Sequence, residues 1–303
     1  MNPLPPKTGE RAARRRATPA GRHISTTREE RFPETFEVLG ELALTGATVS
    51  ATVNDLSSGE PLVSIDDRVS LPTAGLGAVL LLIEVSARLT SKNDSGFGIL
   101  DKASQAQVGD SGIWQHLQAP ALPVGDLATL IGASNDNLAT NLLVQRMGLE
   151  AIRVRAESLG LKRTALLDIV RDIRGPDDAP QLSVGSTTEL AWLFGALSRG
   201  EIVDVTTSKR VMGWLSLNND LSMVASAFGL DPLAHREEDH ALLLVNRTGS
   251  DAGIRVEAGV LRGTRAGVSY AVTITFEETA LESRLRVLGA MRTIGEELLD
   301  YVS

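Results

Sequence analysis

The spacing of apolar residues changes twice along the chain. Residues 34–44 carry apolar side chains at helical spacing, which predicts an amphipathic helix that ends at Gly46. Residues 47–54 alternate toward β structure, and residues 62–65 continue as a second strand after a Ser-Ser-Gly turn. The first part of the pattern therefore predicts a helix followed by a β-hairpin.

The middle of the chain, residues 68–230, has mostly helical spacing. Residues 75–89 are apolar on nearly all sides, which predicts a fully buried helix. Shorter helices are predicted over residues 127–131, 138–147 and 189–197, the last of which ends near Gly200.

After residue 240 the pattern returns to β structure and closes with an amphipathic helix over residues 281–302. Strands are predicted near residues 47–54, 61–65, 241–247, 253–262 and 268–276. Strands at both ends with helices between them predict an α/β (α+β) fold, in which an antiparallel five-stranded sheet is flanked by helices and carries an inserted all-helical domain.

The same pattern suggests where the domains begin and end. We predict a discontinuous sheet domain of residues 31–67 and 231–303, a helical domain of residues 68–230, and a functional site in the cleft between them. Residues 1–30 are rich in Pro, Arg, Thr and Gly, which predicts a disordered basic arm.

The amino-acid composition argues against several kinds of partner and site. The net charge of -8 argues against a nucleic-acid partner, and the absence of cysteine excludes disulfides and thiolate metal sites. With only four histidines we expect no metal site and no cofactor. No apolar run approaches the ~18 residues that a membrane span needs. No apolar stretch follows the basic N-terminus, so we predict a cytoplasmic protein.

Three short segments carry the chemistry of the chain. They are Pro72-Thr-Ala-Gly-Leu-Gly-Ala78, Asn135-Asp136-Asn137 and Arg247-Thr248-Gly249. In this order and at these separations they resemble the S-x-x-K, S-D-N and K-T-G elements of class A β-lactamases and penicillin-binding proteins. The resemblance spans roughly residues 35–300, and it implies the serine β-lactamase fold as well as the site.

The resemblance also shows what is missing. The position of the family's nucleophilic serine is Gly75, that of its lysine is Ala78, and that of its proton-shuttle serine is Asn135. A shifted register would begin at Ser70, with Thr73 in place of the lysine. Ser134 lies one residue from the shuttle position, which is about 100° away on a helix.

The binding residues of the family pattern are better preserved. Arg247 keeps a cation and Thr248 a hydroxyl for a ligand carboxylate, and Asn137 keeps the amide that the family directs at a substrate carbonyl. Gly75 would offer bare backbone at a helix N-terminus. The predicted ligand-binding residues are Gly75, Asn135, Asn137, Arg247, Thr248 and Gly249.

The loop that supplies the deacylating glutamate in class A enzymes corresponds to residues 166–181 and contains no glutamate. It contains Asp168, Asp172, Asp177 and Asp178, although an Asp-, Gly- and Pro-rich surface loop is the default interpretation. The candidate catalytic residues are Ser70, Thr73, Ser134 and Asp172.

Three functional hypotheses follow. The first is a catalytically disabled family member that binds a small carboxylate, a β-lactam or a peptide-like ligand without covalent chemistry. The second is a working hydrolase with a rearranged site that uses Ser70, Thr73 or an aspartate of residues 168–178. The third is a scaffold that binds a protein partner. The oligomeric state is left open.

Overall fold

The computed structural model of the protein describes residues 31–92, 98–105, 108–109, 111–238, 241–278 and 280–303. The predicted basic arm of residues 1–30 lies outside them. The α-helices of the described residues are α1 Pro33–Leu44, α2 Ala78–Thr90, α3 Val124–Ser134, α4 Asn137–Met147, α5 Leu149–Ser158, α6 Thr187–Arg199, α7 Val205–Leu215 and α8 Leu281–Val302. The strands are β1 Thr48–Asp55, β2 Pro61–Ile65, β3 Leu71–Pro72, β4 Ile99–Asp101, β5 Ala121–Pro123, β6 Ala165–Leu166, β7 Ser183–Gly185, β8 Leu243–Asp251, β9 Ile254–Arg262 and β10 Gly267–Thr275.

Five strands form one antiparallel sheet in the order β2-β1-β10-β9-β8. Thr48 of β1 lies opposite Thr275 of β10, so the first and last parts of the chain share this sheet. The predicted fold class, a mixed fold with an antiparallel sheet flanked by helices, is therefore confirmed. The strand β8 lies at the edge of the sheet, with β9 as its neighbour.

The two faces of the sheet have different cores, because alternate residues of a strand point to opposite sides. On one face, small side chains such as Ala258 and Ala271 share a core with helix α6. On the other face, Tyr270 and Val272 pack with Met291 of α8. The sheet is thus covered by helices on both sides.

Helix α2 is buried throughout its first ten residues, as its predominantly apolar sequence predicts. Its one acidic residue, Glu84, accepts hydrogen bonds from Arg88 Nε at 2.6 Å and from Arg155 Nε at 2.9 Å. A buried carboxylate held by two guanidinium groups avoids the large cost of an unpaired buried charge.

The beginning of α2 differs from the prediction. Residues Ala74–Gly77 form a 3₁₀ turn, and the α-helix starts at Ala78 rather than at Gly75. The physical reason is close packing, because a Cβ atom at Gly77 would lie 2.2 Å from Ser183 Cβ. Gly75 therefore belongs to a tight turn in front of the helix.

The division into a sheet domain of residues 31–67 and 231–303 and a helical domain of residues 68–230 stays a prediction. No helix among the described residues is long and apolar enough to cross a membrane.

Candidate functional site

A cleft of about 470 Å³ lies where the Ala74–Gly77 turn, the α3–α4 junction, the loop before β7 and the end of β8 meet. Five of the six predicted ligand-binding residues line it, namely Gly75, Asn135, Asn137, Thr248 and Gly249. The other lining residues are Ala74, Ser111, Ser134, Arg171, Asp172, Arg174, Leu182, Asn219, Asp220, Ser250 and Asp251. The three motif segments thus converge on one site.

The turn that carries Gly75 is fixed from behind by two hydroxyl groups. Thr73 Oγ1 lies 2.6 Å from Ser183 Oγ, and Ser183 Oγ donates to the carbonyl oxygen of Ala74 at 2.7 Å. The strand β8 also touches this turn directly, because a Cβ atom at Gly249 would lie 2.4 Å from the Thr73 carbonyl oxygen. A glycine at position 249 is therefore required for the strand to approach the turn.

Asn135 forms the opposite wall of the cleft in a left-handed backbone conformation, with φ of +52°. Asparagine tolerates this conformation better than most residues, which suits it to the junction of two helices. Its Nδ2 atom donates a long hydrogen bond to Thr248 Oγ1 at 3.4 Å. A Cβ atom at Gly75 would lie 3.2 Å from Asn135 Oδ1, so this side chain lies directly in front of the glycine.

Asp136 points away from the cleft and holds the helices together. Its carboxylate accepts hydrogen bonds from the backbone amides of Ile113, Trp114 and Ala139 at 2.8, 2.8 and 3.0 Å. Asp136 thus anchors backbone groups of two separate segments of the chain. This anchoring fixes the first residue of α4, Asn137, whose Nδ2 atom donates to the Gly109 carbonyl oxygen at 3.1 Å at the edge of the cleft.

Arg247 does not line the cleft, although we expected its guanidinium to face a ligand there. The side chain is only 1% exposed and lies behind the 3₁₀ turn. Its guanidinium donates to the carbonyl oxygen of Ile131 and, at 3.1 Å, to that of Gly75. Burial lowers the pKa of Arg247 to about 9. The cation of this motif is thus bound by backbone carbonyl groups inside the protein.

The loop before β7 brings charged groups to the cleft. Asp168 accepts hydrogen bonds from Arg171 Nε at 2.8 Å and from Arg174 Nη1 at 2.7 Å. Burial alone would raise the pKa of Asp168, but these hydrogen bonds and one from the Ile169 amide outweigh it and lower the pKa below its ordinary value. Asp172, which lines the cleft, accepts a hydrogen bond from the Gly109 amide at 2.9 Å.

A buried amide on α4 fixes this loop, and sequence reasoning missed it. Asn141 Nδ2 donates to the Val170 carbonyl oxygen at 2.8 Å, and Asn141 Oδ1 accepts from the Val170 amide at 2.7 Å. The Asn141 side chain thus bonds both backbone groups of Val170, as a neighbouring strand would. The available signal was a lone asparagine inside the apolar helix segment that follows Asn137.

The remaining predicted residues differ in their position relative to the cleft. Ser70 is exposed outside the cleft and donates to the Arg163 carbonyl oxygen at 2.8 Å, and Thr73 is fully buried. Ala78 is buried in the core beneath the turn. Ser134 lines the cleft, but its hydroxyl donates to the Leu130 carbonyl oxygen of its own helix at 3.0 Å.

A second buried polar group lies on the strand beside Thr248. Glu257 is opposite Thr248 in the sheet and is completely buried. It accepts hydrogen bonds from Tyr270 Oη at 2.6 Å and from Asn246 Nδ2 at 2.8 Å. Burial raises the pKa of Glu257 to about 7, against the opposing effect of these hydrogen bonds. The sequence signal for Glu257 was an acidic residue within an apolar strand.

The chemical inventory of the cleft is limited. Its lining, within the described residues, includes no lysine, histidine or glutamate. Across the described parts of the chain, no group of three or more His, Asp or Glu side chains is arranged to hold a metal ion. The cleft can therefore offer hydroxyl, amide, guanidinium and aspartate groups together with the backbone of β8 and the turn.

Comparison with known proteins assigns the family. Residues 35–302 match the model of the β-lactamase enzyme family. No curated protein matches the sequence.

Solved structures share the fold at low sequence identity. A β-lactamase from Sphaerobacter thermophilus DSM 20745 superimposes with a TM-score of 0.76 at 19% identity, covering 89% of this chain and 97% of its own. A class A β-lactamase from Mycobacterium abscessus gives 0.71 at 15% identity, covering 89% and 100%. A variant of PBP-A, solved as an acyl-enzyme complex with penicillin G, gives 0.70 at 15% identity, covering 89% and 96%. At these identities the structures establish the fold alone.

Proposed function

The chain belongs to the β-lactamase enzyme family, and within that family we propose that it is a pseudoenzyme that binds a small carboxylate, β-lactam or peptide-like ligand without covalent chemistry. One observation carries the proposal. The guanidinium of Arg247 is bound to the carbonyl oxygen of Gly75, at the position where the resemblance places the nucleophile. Gly75 has no side chain that could attack a substrate. The guanidinium of Arg247 makes a structural contact instead of orienting a substrate.

The cost of the missing groups supports loss of turnover. Removing the nucleophile or base of a serine-hydrolase triad lowers kcat by about 10⁶, which is roughly 8 kcal/mol of barrier. Gly75, Ala78 and Asn135 stand at the nucleophile, lysine and shuttle-serine positions at once. Binding alone leaves about 10³-fold acceleration over water, which is far too little for a useful hydrolase.

The proposed binding mode differs from the one expected from the motifs, because Arg247 is not accessible. Thr248 and Ser250 offer hydroxyl groups at the end of the edge strand, and Asn137 offers an amide on the opposite side. The edge strand β8 is exposed at its last two residues, Ser250 and Asp251, where its backbone can pair with an extended peptide. Arg171 and Arg174 supply positive charge for a carboxylate, although both also contact Asp168.

Isothermal titration with penicillin G and with an N-acetyl-D-Ala-D-Ala peptide tests the proposal. We expect saturable one-to-one binding of at least one probe. Thr248→Val and Asn137→Ala should each weaken it about tenfold, because each removes a hydrogen-bonding group worth about 1.4 kcal/mol. Ser70→Ala is the matched control outside the cleft and should bind as the native protein does. Absence of saturable binding, or equal binding by all three variants, would contradict the proposal.

Intact-protein mass spectrometry after incubation with penicillin G, together with nitrocefin turnover, separates this function from an active hydrolase. We expect no acyl adduct and no turnover. An adduct that disappears in Ser70→Ala, Thr73→Ala or Ser134→Ala would instead establish a rearranged catalytic site. If neither binding nor an adduct is observed, the result favours the scaffold hypothesis. The predicted cytoplasmic location belongs to the same proposal and is tested by cell fractionation.

A further inference from the structure

A second pocket, which we call the α6–α7 pocket, lies away from the cleft and shares no lining residue with it. It is bounded by the end of α6, one side of α7 from Val205 to Met212, the beginning of β8 and the end of β9. Its volume is about 250 Å³, slightly below the usual range of small-ligand pockets, about 300–1,000 Å³. Its lining residues are Leu197, Ser198, Arg199, Gly200, Val205, Lys209, Met212, Leu243, Val245, Val260 and Arg262.

The walls of this pocket are apolar although it opens to solvent. Leu197, Val245 and Val260 are buried at its base, whereas Val205 is 55% exposed at its mouth. Both helix ends that form the rim are capped, α6 by Gly200 in a left-handed conformation and α7 by Asp204, whose side chain accepts from the Thr207 amide at 2.7 Å. The rim is therefore built from ordered helix ends.

Three cationic side chains surround the apolar base. Arg199 forms an ion pair with Glu201 at 2.8 Å. Lys209 and Arg262 have no ion-pair partner among the described residues, and both are exposed. An apolar pocket with two uncompensated cations at its rim is complementary to a molecule with an apolar tail and one negative charge.

We propose that the α6–α7 pocket binds an amphipathic monoanion, specifically a short- or medium-chain carboxylate, with its alkyl chain on Leu197, Val245 and Val260 and its carboxylate between Lys209 and Arg262. The small volume suits a single unbranched chain. This proposal is independent of the function of the cleft, because it uses a different set of residues.

The contact between the alkyl chain and the apolar base can be tested by titrating the full chain with butanoate, hexanoate and octanoate. NMR or calorimetry measures the binding. Affinity should rise about fourfold for each methylene that becomes buried. Val205→Trp places a large ring at the mouth of the pocket and should abolish octanoate binding. Val154→Trp is the matched control, since Val154 is a similarly exposed valine, at 51%, on helix α5.

Octan-1-ol tests the charge, because it carries the same chain without the carboxylate. It should bind about fivefold more weakly than octanoate. Lys209→Gln and Arg262→Gln should each weaken octanoate by about threefold, the size expected of exposed ion pairs, and leave octan-1-ol unchanged. Lys162→Gln is the control for a distant exposed lysine. The proposal is overturned by absence of octanoate binding, by equal binding to Val205→Trp, or by equal affinity for acid and alcohol.

Discussion

Arg247 Nη2 donates to the carbonyl oxygen of Gly75 at 3.1 Å. The motif resemblance assigns these two residues to the cation and nucleophile positions of the family, and in this chain they bind each other. The same guanidinium also donates to the Ile131 carbonyl oxygen, so Arg247 joins β8, the 3₁₀ turn and α3. A motif residue that the resemblance assigns to ligand binding has thus become part of the structure that shapes the cleft.

Arg247→Ala should therefore destabilise the protein by about 3 kcal/mol, because it creates a cavity and removes the guanidinium from two buried carbonyl groups. The carbonyl oxygens of Ile131 and Gly75 would each keep only a backbone amide as donor. Arg247→Met should cost less, about 1 kcal/mol. It keeps most of the apolar volume and removes a desolvated charge, which offsets part of the lost hydrogen bonding. Urea denaturation of the three proteins measures both values. Equal stability of the native protein and Arg247→Ala would show that the guanidinium is not structural.

Gly75 and Asn135 should be energetically coupled, since a Cβ atom at Gly75 would lie 3.2 Å from Asn135 Oδ1. Gly75→Ala should lower the free energy of unfolding by about 1 kcal/mol in the native protein. The decrease should be smaller in the Asn135→Gly variant, because this substitution removes the facing side chain and glycine suits the left-handed backbone. A double-mutant cycle by thermal unfolding should give a coupling of about 0.5 kcal/mol or more. Additive effects would mean that Asn135 moves freely away from the turn.

Gly75→Ser should not restore acylation by penicillin G. The new hydroxyl would have no lysine three residues later, because Ala78 is buried and cannot accept a proton. Intact-mass measurement after prolonged incubation is the readout, with Gly75→Ala as the control for side-chain bulk. An adduct specific to Gly75→Ser would reveal a base in the cleft that the pseudoenzyme proposal does not include.

The large sheet and α8 were predictable because their sequence patterns are uninterrupted. The predicted strand over residues 61–65 and the helix over residues 281–302 agree with β2 and α8 at both ends. Helices α5 and α7 were not predicted individually. In α7 the buried residues include Thr207 and Ser208, so burial there does not coincide with an apolar pattern.

The spacing of the motifs predicted which segments meet at the cleft, but not where each side chain points. Arg247 lies two residues after Val245, so strand alternation places both side chains on the same face, toward the interior core. The resemblance to the K-T-G element predicted instead that Arg247 faces a ligand in the cleft. Asn141 was missed for a related reason: its bonds to Val170 depend on a loop whose path no local pattern determines.

Asn141→Leu should loosen the loop that carries Arg171, Asp172 and Arg174, because the Val170 amide and carbonyl group lose their partner. We expect a stability loss of about 2 kcal/mol and faster amide exchange in residues 167–182. Hydrogen-exchange mass spectrometry measures the local effect. Gln145→Leu, at an exposed position of the same helix, is the matched control and should leave this exchange unchanged. Equal exchange in both variants would contradict the assigned role.

Glu257 should make the folding stability depend on pH in a defined direction. Burial raises its pKa from 4.5 to about 7, so between these values the folded protein keeps a proton that the unfolded chain releases. This contribution to stability is fully present below pH 4.5 and is lost as the pH rises through 7, by about 3 kcal/mol over the whole interval.

The side chain in Glu257→Gln cannot titrate, so the variant should not lose this stability as the pH rises. At pH 4.5 the variant should be the less stable protein by about 1 kcal/mol, because its amide cannot accept a hydrogen bond from the Ala225 amide at the position of Oε2. As the pH rises to 8 the difference should shrink and reverse in favour of the variant. Urea denaturation of both proteins between pH 4.5 and 8 provides the test. A constant difference across this range would mean that Glu257 carries the same charge in the folded and unfolded states. Glu257 is fully buried and has no cationic partner among the described residues, so it could remain charged only by recruiting water or a counter-ion into the core.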